Sequence, residues 1–351
     1  MSFTPGDTKA PRRVPGVGPP NAKIAIVGEA PGAHEDVQLK PFVGAAGSVL
    51  EQCLHGAGLT RSEVYLTNVV KVRPANNKID PYFNGKTFSQ EGIRWVSELR
   101  EELDALQPNI VVAAGNTAFA ALAGLTSIST FRGYIFPTIG LENVAKCLPM
   151  FHPAACLYNQ AGKTSTLAVK SSKPYMLRYV IEADLRKARE FSHTKELVRP
   201  ERQLVYRYDN VEECLAWLDY FAEQPLVSVD IEVTNYEVSC IGFSSEPNIA
   251  ASIPLAYTWT EHEEVLIWRG IDKILGNPNS VKVLQNGIFD IHFLHKHCGV
   301  VVRGPIQDTM IAHSIIFPEL PKNLAFIGSI YCGAQEYWKN MVKWDNIKDE
   351  S

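Results

Sequence analysis

Short apolar runs that end in glycine or polar turns, separated by stretches with helical spacing, limit the fold of this chain more than any other feature. Residues 23–27 form one such run and break at Gly28-Glu29-Ala30-Pro31-Gly32. Further runs lie at 64–70, 110–114 and 148–151, with helical spacing between them at 46–56, 88–106 and 117–123. Strands that are apolar at every position are buried on both faces, so the pattern predicts a parallel sheet between two helix layers, a three-layer α/β/α arrangement. Ligands of such sheets bind in loops at the carboxyl ends of the strands, which places 28–32, 68–73 and 152–155 on one rim.

The pattern then restarts. A helix expected over 178–191 is followed by a charged, proline-bearing stretch without periodicity at 193–203, read as a linker. Beyond it, strands are expected at 204–206, 226–231, 240–243 and 250–253, with helices at 211–221, 261–275 and 288–297. A chain of 351 residues with 46% hydrophobic content is long enough for two cores. The expected division is a flexible Pro/Gly-rich arm over 1–20, a first domain over 21–192, the linker, and a second domain over 204–351. No apolar run reaches membrane-spanning length and the N-terminus lacks the apolar core of a signal peptide, so a cytoplasmic location without a membrane partner is expected. The seven cysteines are scattered with no Cys-x-x-Cys pair, as reduced thiols would be.

Charge divides unevenly. The formal net charge is −4, made of +6 over residues 1–200 and −10 over the remainder. The front half suits a phosphate backbone; the acidic back half suits one only if divalent cations neutralise some carboxylates. Chance asymmetry explains the difference equally well.

Several side chains carry chemistry. Behind the Gly28 turn, Glu29 can hold a water, Phe42 offers a flat face to a planar base, and Asn68 has the donor and acceptor that read one. His152 can stabilise charge on a departing base, while Lys71 and Arg73 can touch DNA phosphates. Singly, each has an ordinary explanation: a core phenylalanine, a turn asparagine, a satisfied buried histidine, a solvated basic pair. In the back half, Asp230 and Glu232 lie two apart on a strand and share a face. Asn286 and Asp290 lie four apart at a helix start. Such pairs can hold divalent cations for phosphodiester cleavage. His292, His295, His297 and Cys298 read as a partly exposed helix face rather than a metal cluster.

In combination the front-half residues are far more specific. Val14-Pro15-Gly16, Val27-Gly28-Glu29-Ala30-Pro31-Gly32, Pro41-Phe42-Val43-Gly44, Tyr65-Leu66-Thr67-Asn68-Val69-Val70-Lys71, Arg73-Pro74 and His152-Pro153-Ala154-Ala155 resemble, in order, the family 4 uracil-DNA glycosylases over roughly residues 14–190. The resemblance implies hydrolysis of the deoxyuridine N-glycosidic bond after base flipping. On it, Glu29 polarises the attacking water, Gly28 and Asn68 bind uracil with Phe42 stacked on it, and His152 steadies the anionic base. That family usually binds an iron-sulfur cluster through four cysteines, two of them in a Cys-x-x-Cys ahead of the first strand. This chain has Thr8 to Arg13 there, with Val72 and Trp95 at the other places, so no cluster is expected and Val72 and Trp95 are expected to fill the space.

Val227-Ser228-Val229-Asp230-Ile231-Glu232, Gln285-Asn286-Gly287-Ile288-Phe289-Asp290 and Gln307-Asp308-Thr309-Met310 resemble the 3′-5′ proofreading exonuclease domain of family A DNA polymerases, from about Leu204 onward. This resemblance implies a ribonuclease H-like (DnaQ-like) fold with Asp230, Glu232 and Asp290 binding Mg²⁺ or Mn²⁺, and Asp308 in a structural role. The family's third motif, Tyr-x-x-x-Asp, is not reproduced, so the fold is expected to be incomplete at its C-terminus. The layout resembles the front of a phage-type polymerase. The expected function is uracil excision from DNA, single-stranded or uracil-containing, fused to a proofreading-type nuclease that a separate polymerase chain would complete. The alternative is a non-catalytic, uracil-sensing module of a split or truncated phage polymerase.

Overall fold

The computed structural model describes residues 12–157, 174–198, 201–256 and 258–333. The chain divides into two compact units, one of Met1–Val198 with Glu319–Pro321 and Ala325–Ser351, the other of Arg199–Pro318 with Lys322–Leu324. The break at Val198 falls inside the expected linker.

The first unit is built on strands β1 (Ile24–Gly28), β2 (Val64–Asn68), β3 (Ile110–Ala114), β4 (Phe136–Pro137) and β5 (Lys146–Met150). Their order is β2-β1-β3-β5-β4, parallel except for the short antiparallel edge strand β4. Every residue of β1, β3 and β5 is buried, which is why β1 and β3 read as unbroken apolar runs, while β5 reads as one only after its buried Lys146. Helices α1 (Ala33–Gln38), α2 (Ala45–Gly56), α3 (Gln90–Leu106), α4 (Asn116–Ala123), α5 (Ile128–Phe131) and α6 (Pro174–Phe191) complete it. Ser89 caps α3 by accepting from Gly92 N, and the helix ends at Gln107 in the left-handed conformation.

The expected flexible arm is corrected in its described part. Val14 is buried and its N–H donates to Lys71 O at 2.8 Å, while Val17 and Leu66 exchange backbone bonds of 2.9 Å. Because β2 is an edge strand with open backbone groups, the arm pairs alongside it. Gly18 is needed for this approach, since a Cβ there would lie 2.6 Å from Tyr65 Cα. Residues 1–11 lie outside the described part.

The second unit carries β6 (Gln203–Val205), β7 (Leu226–Thr234), β8 (Glu237–Glu246), β9 (Ile249–Pro254), β10 (Val281–Leu284) and β11 (Ile306–Asp308) in the order β11-β10-β7-β8-β9-β6. β7, β8 and β9 form an antiparallel meander, and β10 and β11 extend it in parallel. Helices α7 (Val211–Ala222), α8 (Glu261–Leu275), α9 (Ile288–Cys298) and α10 (Thr309–Ile316) accompany the sheet. A three-stranded meander continued by parallel strands through helical crossovers is the ribonuclease H-like arrangement. Along β7 burial alternates, so Val227, Val229 and Ile231 enter a core with Leu218, Phe221, Ile267 and Ile271, while Asp230 and Glu232 face away from it.

A last helix, α11 (Leu324–Tyr331), lies in the expected second domain of 204–351 by sequence, but from Ala325 onward it is grouped with the first compact unit. Tyr134 Oη donates to Ala325 O at 2.6 Å, and Arg132 Nη1 donates to Ser329 Oγ at 2.7 Å. Among the described residues no helix is long and apolar enough to cross a membrane.

Candidate active sites

The strand ends of the first unit bring the expected residues together. Gly28 ends β1 and Asn68 ends β2, paired across the sheet. A Cβ at Gly28 would lie 2.4 Å from Asn68 Oδ1 and 2.8 Å from Phe42 Cζ, so only glycine lets the amide and the ring converge there. Phe42 is buried and adopts φ 53°, a left-handed conformation that costs an aromatic residue about 1–2 kcal/mol. Its ring stacks on His152 with centroids 5.9 Å apart and planes 26° from parallel.

His152 follows β5 and caps the 3₁₀ turn Pro153–Cys156 by accepting Ala154 N–H at Nδ1, 3.2 Å away. Accepting at Nδ1 leaves the ring proton on Nε2. Burial lowers its pKa from 6.5 to about 4, against a smaller opposing effect of the Glu35 charge, so the imidazole is neutral at pH 7.

Glu29 follows β1 and receives a 2.5 Å hydrogen bond at Oε2 from Thr117 Oγ1. Thr117 enters the site because Gly115, with φ 100°, turns the chain sharply from β3 into α4. Glu35 ties the neighbouring loops, accepting from Gly32 N at 3.1 Å, Val43 N at 3.2 Å and Gly44 N at 3.0 Å. Sequence reasoning gave Thr117 no part in the site. The signal for Thr117 was a second strand-glycine junction on the same rim.

Lys71 is a correction. It is 2% exposed and ion-pairs with Glu102, which also accepts from Tyr65 Oη at 2.8 Å and Thr67 Oγ1 at 3.0 Å. Lys71 therefore braces the end of β2 from inside and does not face phosphate. Burial lowers its pKa, which the Glu102 charge partly restores. Arg73 is half-buried, with Nε donating to Asn77 Oδ1 at 2.8 Å.

In the second unit, Asp290 opens α9 and its Oδ1 accepts the N–H of Ile231 at 3.2 Å, which puts its carboxylate beside the residue between Asp230 and Glu232. Burial raises its pKa, and the charges of Asp308 and Glu232 add to this. Asp308 is used otherwise: it accepts backbone N–H from Asn286, Gly287, Met310 and Ile311. Burial pushes its pKa up, but those four bonds more than offset the effect and hold it below the usual carboxylate value. No three His, Cys, Asp or Glu side chains among the described residues close into a metal-holding group, so the expected set of Asp230, Glu232 and Asp290 is adjacent without being gathered.

The family model described as the uracil DNA glycosylase superfamily matches residues 15–172, and that described as 3′-5′ exonuclease matches residues 205–349. The type-4 uracil-DNA glycosylase of Archaeoglobus fulgidus is 40% identical over 150 residues, 41% of this chain and 72% of the relative. That of Sulfurisphaera tokodaii is 37% identical, covering 52% and 75%. The chain belongs to the uracil-DNA glycosylase superfamily. A DNA polymerase of Bacillus phage SP01 is 25% identical over 337 residues, 87% of this chain and 34% of the polymerase. The protein is thus a uracil-DNA glycosylase fused to a 3′-5′ exonuclease domain.

For a glycosylase of the type-4 kind, the place of the cluster is informative. Arg13 bridges to Val72 in antiparallel fashion, lies over the Trp95 ring at 5.5 Å and ion-pairs with Glu98. A guanidinium stacked on an indole offers no thiolate and brings its own positive charge, so these residues do not fit an iron-sulfur cluster. The cation–π contact contributes about 0.5–1 kcal/mol at such a half-exposed site. The described cysteines are free. Burial pushes the Cys53 thiol up to about 12, which makes it inert.

Proposed function

We propose that uracil, flipped from DNA, lies against Phe42 with its edge read by Asn68 and the Gly28 backbone. Glu29 holds and polarises the water that attacks C1′ and takes up the proton that this water loses. The C1′–N1 bond breaks, its electron pair leaves with the base, and His152 donates from Nε2 toward the resulting uracil anion. The observation that carries this reading is the convergence of Gly28, Phe42, Asn68 and His152 at the strand ends, with His152 accepting Ala154 N–H at Nδ1 and so left with Nε2 as a donor for an anionic leaving group. Thr117 fixes the Glu29 carboxylate, and Arg73 offers a phosphate contact on the same rim.

The exonuclease domain is of a divalent-metal-dependent kind. Asp230, Glu232 and Asp290 present the hard oxygen donors that Mg²⁺ or Mn²⁺ takes. The metal would activate water and steady the leaving oxygen of the phosphodiester. We take the nuclease site to be completed by a polymerase chain. The apolar surface that α9 and α10 leave open supports this, with Ile288 70% and Ile315 77% exposed. The protein would act in the cytoplasm, on single-stranded or uracil-containing DNA.

The test is a labelled single-stranded oligonucleotide with one uracil, treated with wild type and Glu29→Gln in EDTA and then in Mn²⁺. The expected result is an alkali-sensitive break at uracil in EDTA that the variant reduces by about a hundredfold or more. Tight uracil-dependent binding with no break would replace this reading with that of a sensor module. Shortening from the 3′ end only in Mn²⁺ would show that the nuclease works without a partner.

A further inference from the structure

We infer that Arg61 is a positioning residue for uracil recognition, acting through Phe42. The inference rests on the reading of Phe42 as the face against which uracil stacks. Arg61 opens a 3₁₀ turn, Arg61–Glu63, between α2 and β2, held by a reciprocal cap between Thr60 and Glu63. From this fixed base its guanidinium reaches two consecutive carbonyls: Nη1 donates to Phe42 O at 2.8 Å and Nη2 to Pro41 O at 2.5 Å. Glu51, 3.9 Å from Nη1, adds only a solvent-screened ion pair.

The fork matters because of what it holds. Phe42 has a left-handed backbone that a phenylalanine leaves when free to do so, and any change of φ swings the ring off the strand ends. Both carbonyls that Arg61 grips flank the Phe42 N–Cα bond, so the guanidinium fixes that torsion from outside the pocket. Glu35 holds the next two N–H groups, and Gly47 leaves the room needed, since a Cβ there would lie 1.9 Å from Phe42 O. Lysine cannot replace arginine here: a single ammonium has no planar pair of donors to span two carbonyls.

The experiment is a double-mutant cycle in the full chain, with Arg61→Lys, Arg61→Ala, Phe42→Ala and the double variants, circular dichroism confirming the fold of each. Excision from a uracil-bearing single strand and affinity for that strand are both measured. Either Arg61 variant is expected to lower kcat/KM about tenfold to hundredfold. In the Phe42→Ala background the same changes are expected to matter less than about twofold, because the ring they position is gone. Equal losses in both backgrounds, or Arg61→Lys at the wild-type rate, would overturn the inference while leaving the Phe42 reading intact. A Phe42→Ala protein that excises and binds like wild type would remove that reading and the inference with it. If Arg61→Ala fails to fold, Arg61→Lys with its double variant decides alone.

Discussion

At the scale of single residues, His152 makes the sharpest statement about pH. In the unfolded chain its imidazole has the ordinary pKa of 6.5; in the folded chain burial lowers it to about 4. Between these values the unfolded chain binds more protons, so the contribution of His152 to stability is whole above pH 6.5 and is lost as pH falls toward 4. Excision is therefore expected to show no His152 limb between pH 5 and 8, measured as kcat/KM for wild type and His152→Gln. A limb centred near 6.5 that the variant abolishes would contradict the neutral imidazole. Lys71 and Arg73 separate in the same way. Lys71→Ala leaves the partly buried Glu102 without its cation and is expected to cost about 1–3 kcal/mol in chemical denaturation, with the salt dependence of DNA binding unchanged. Arg73→Ala is expected to leave stability nearly intact and lower the salt slope by roughly one.

At the scale of elements, legibility followed burial. β1 and β3 are buried throughout and stood out as apolar runs, and β5 did so only from Leu148, past its buried Lys146. β7 alternates and could be read from Leu226, although its last residues were missed because it extends past Ile231 into the hairpin. β10 was not legible: it has four residues and contains Lys282, which breaks the apolar pattern yet is fully buried. The Lys282 ammonium donates to the carbonyls of Ser280 at 3.0 Å, Arg303 at 2.9 Å and Asn277. No sequence rule anticipates a lysine satisfied only by backbone. Lys282→Met is expected to leave those carbonyls unpaired and to lower unfolding free energy by about 2–4 kcal/mol; an unchanged denaturation midpoint would show that water takes over the lysine's bonds. In the glycosylase site, Glu29, Asn68 and His152 could be recognised because each sits at or near a strand end, and Phe42 because of the motif Pro41-Phe42-Val43-Gly44 around it. Thr117 carried only the weak signal of its strand-glycine junction, and Arg61 carried none, since its role depends on which loops the fold brings side by side.

At the scale of the whole molecule, the first unit is assembled from three stretches of sequence, Met1–Val198, Glu319–Pro321 and Ala325–Ser351, the last two returning to it after β11. The return is anchored on buried charge. Arg132 is 1% exposed and pairs with Asp184, its Nε donating at 3.0 Å, while Lys187 Nζ donates to Ser329 O at 2.8 Å and Gly133 O at 2.6 Å. Burial lowers the Lys187 pKa to about 8 against the pull of Asp184. A chain ending at Val198 would lose Ser329 and the buried Ile327, and is expected to melt well below the full protein, by roughly 5 °C or more in thermal denaturation. Equal melting of the first unit with and without α11 would show that the return segment is an ornament. The most direct measurement of the central claim is the release of free base: the full chain in EDTA, incubated with uracil-containing single-stranded DNA, with liberated uracil and abasic sites both counted. The two are expected to appear in equal amounts and to vanish together in Glu29→Gln. Strand breaks without free uracil, or no release at all from DNA that the protein binds, would contradict it.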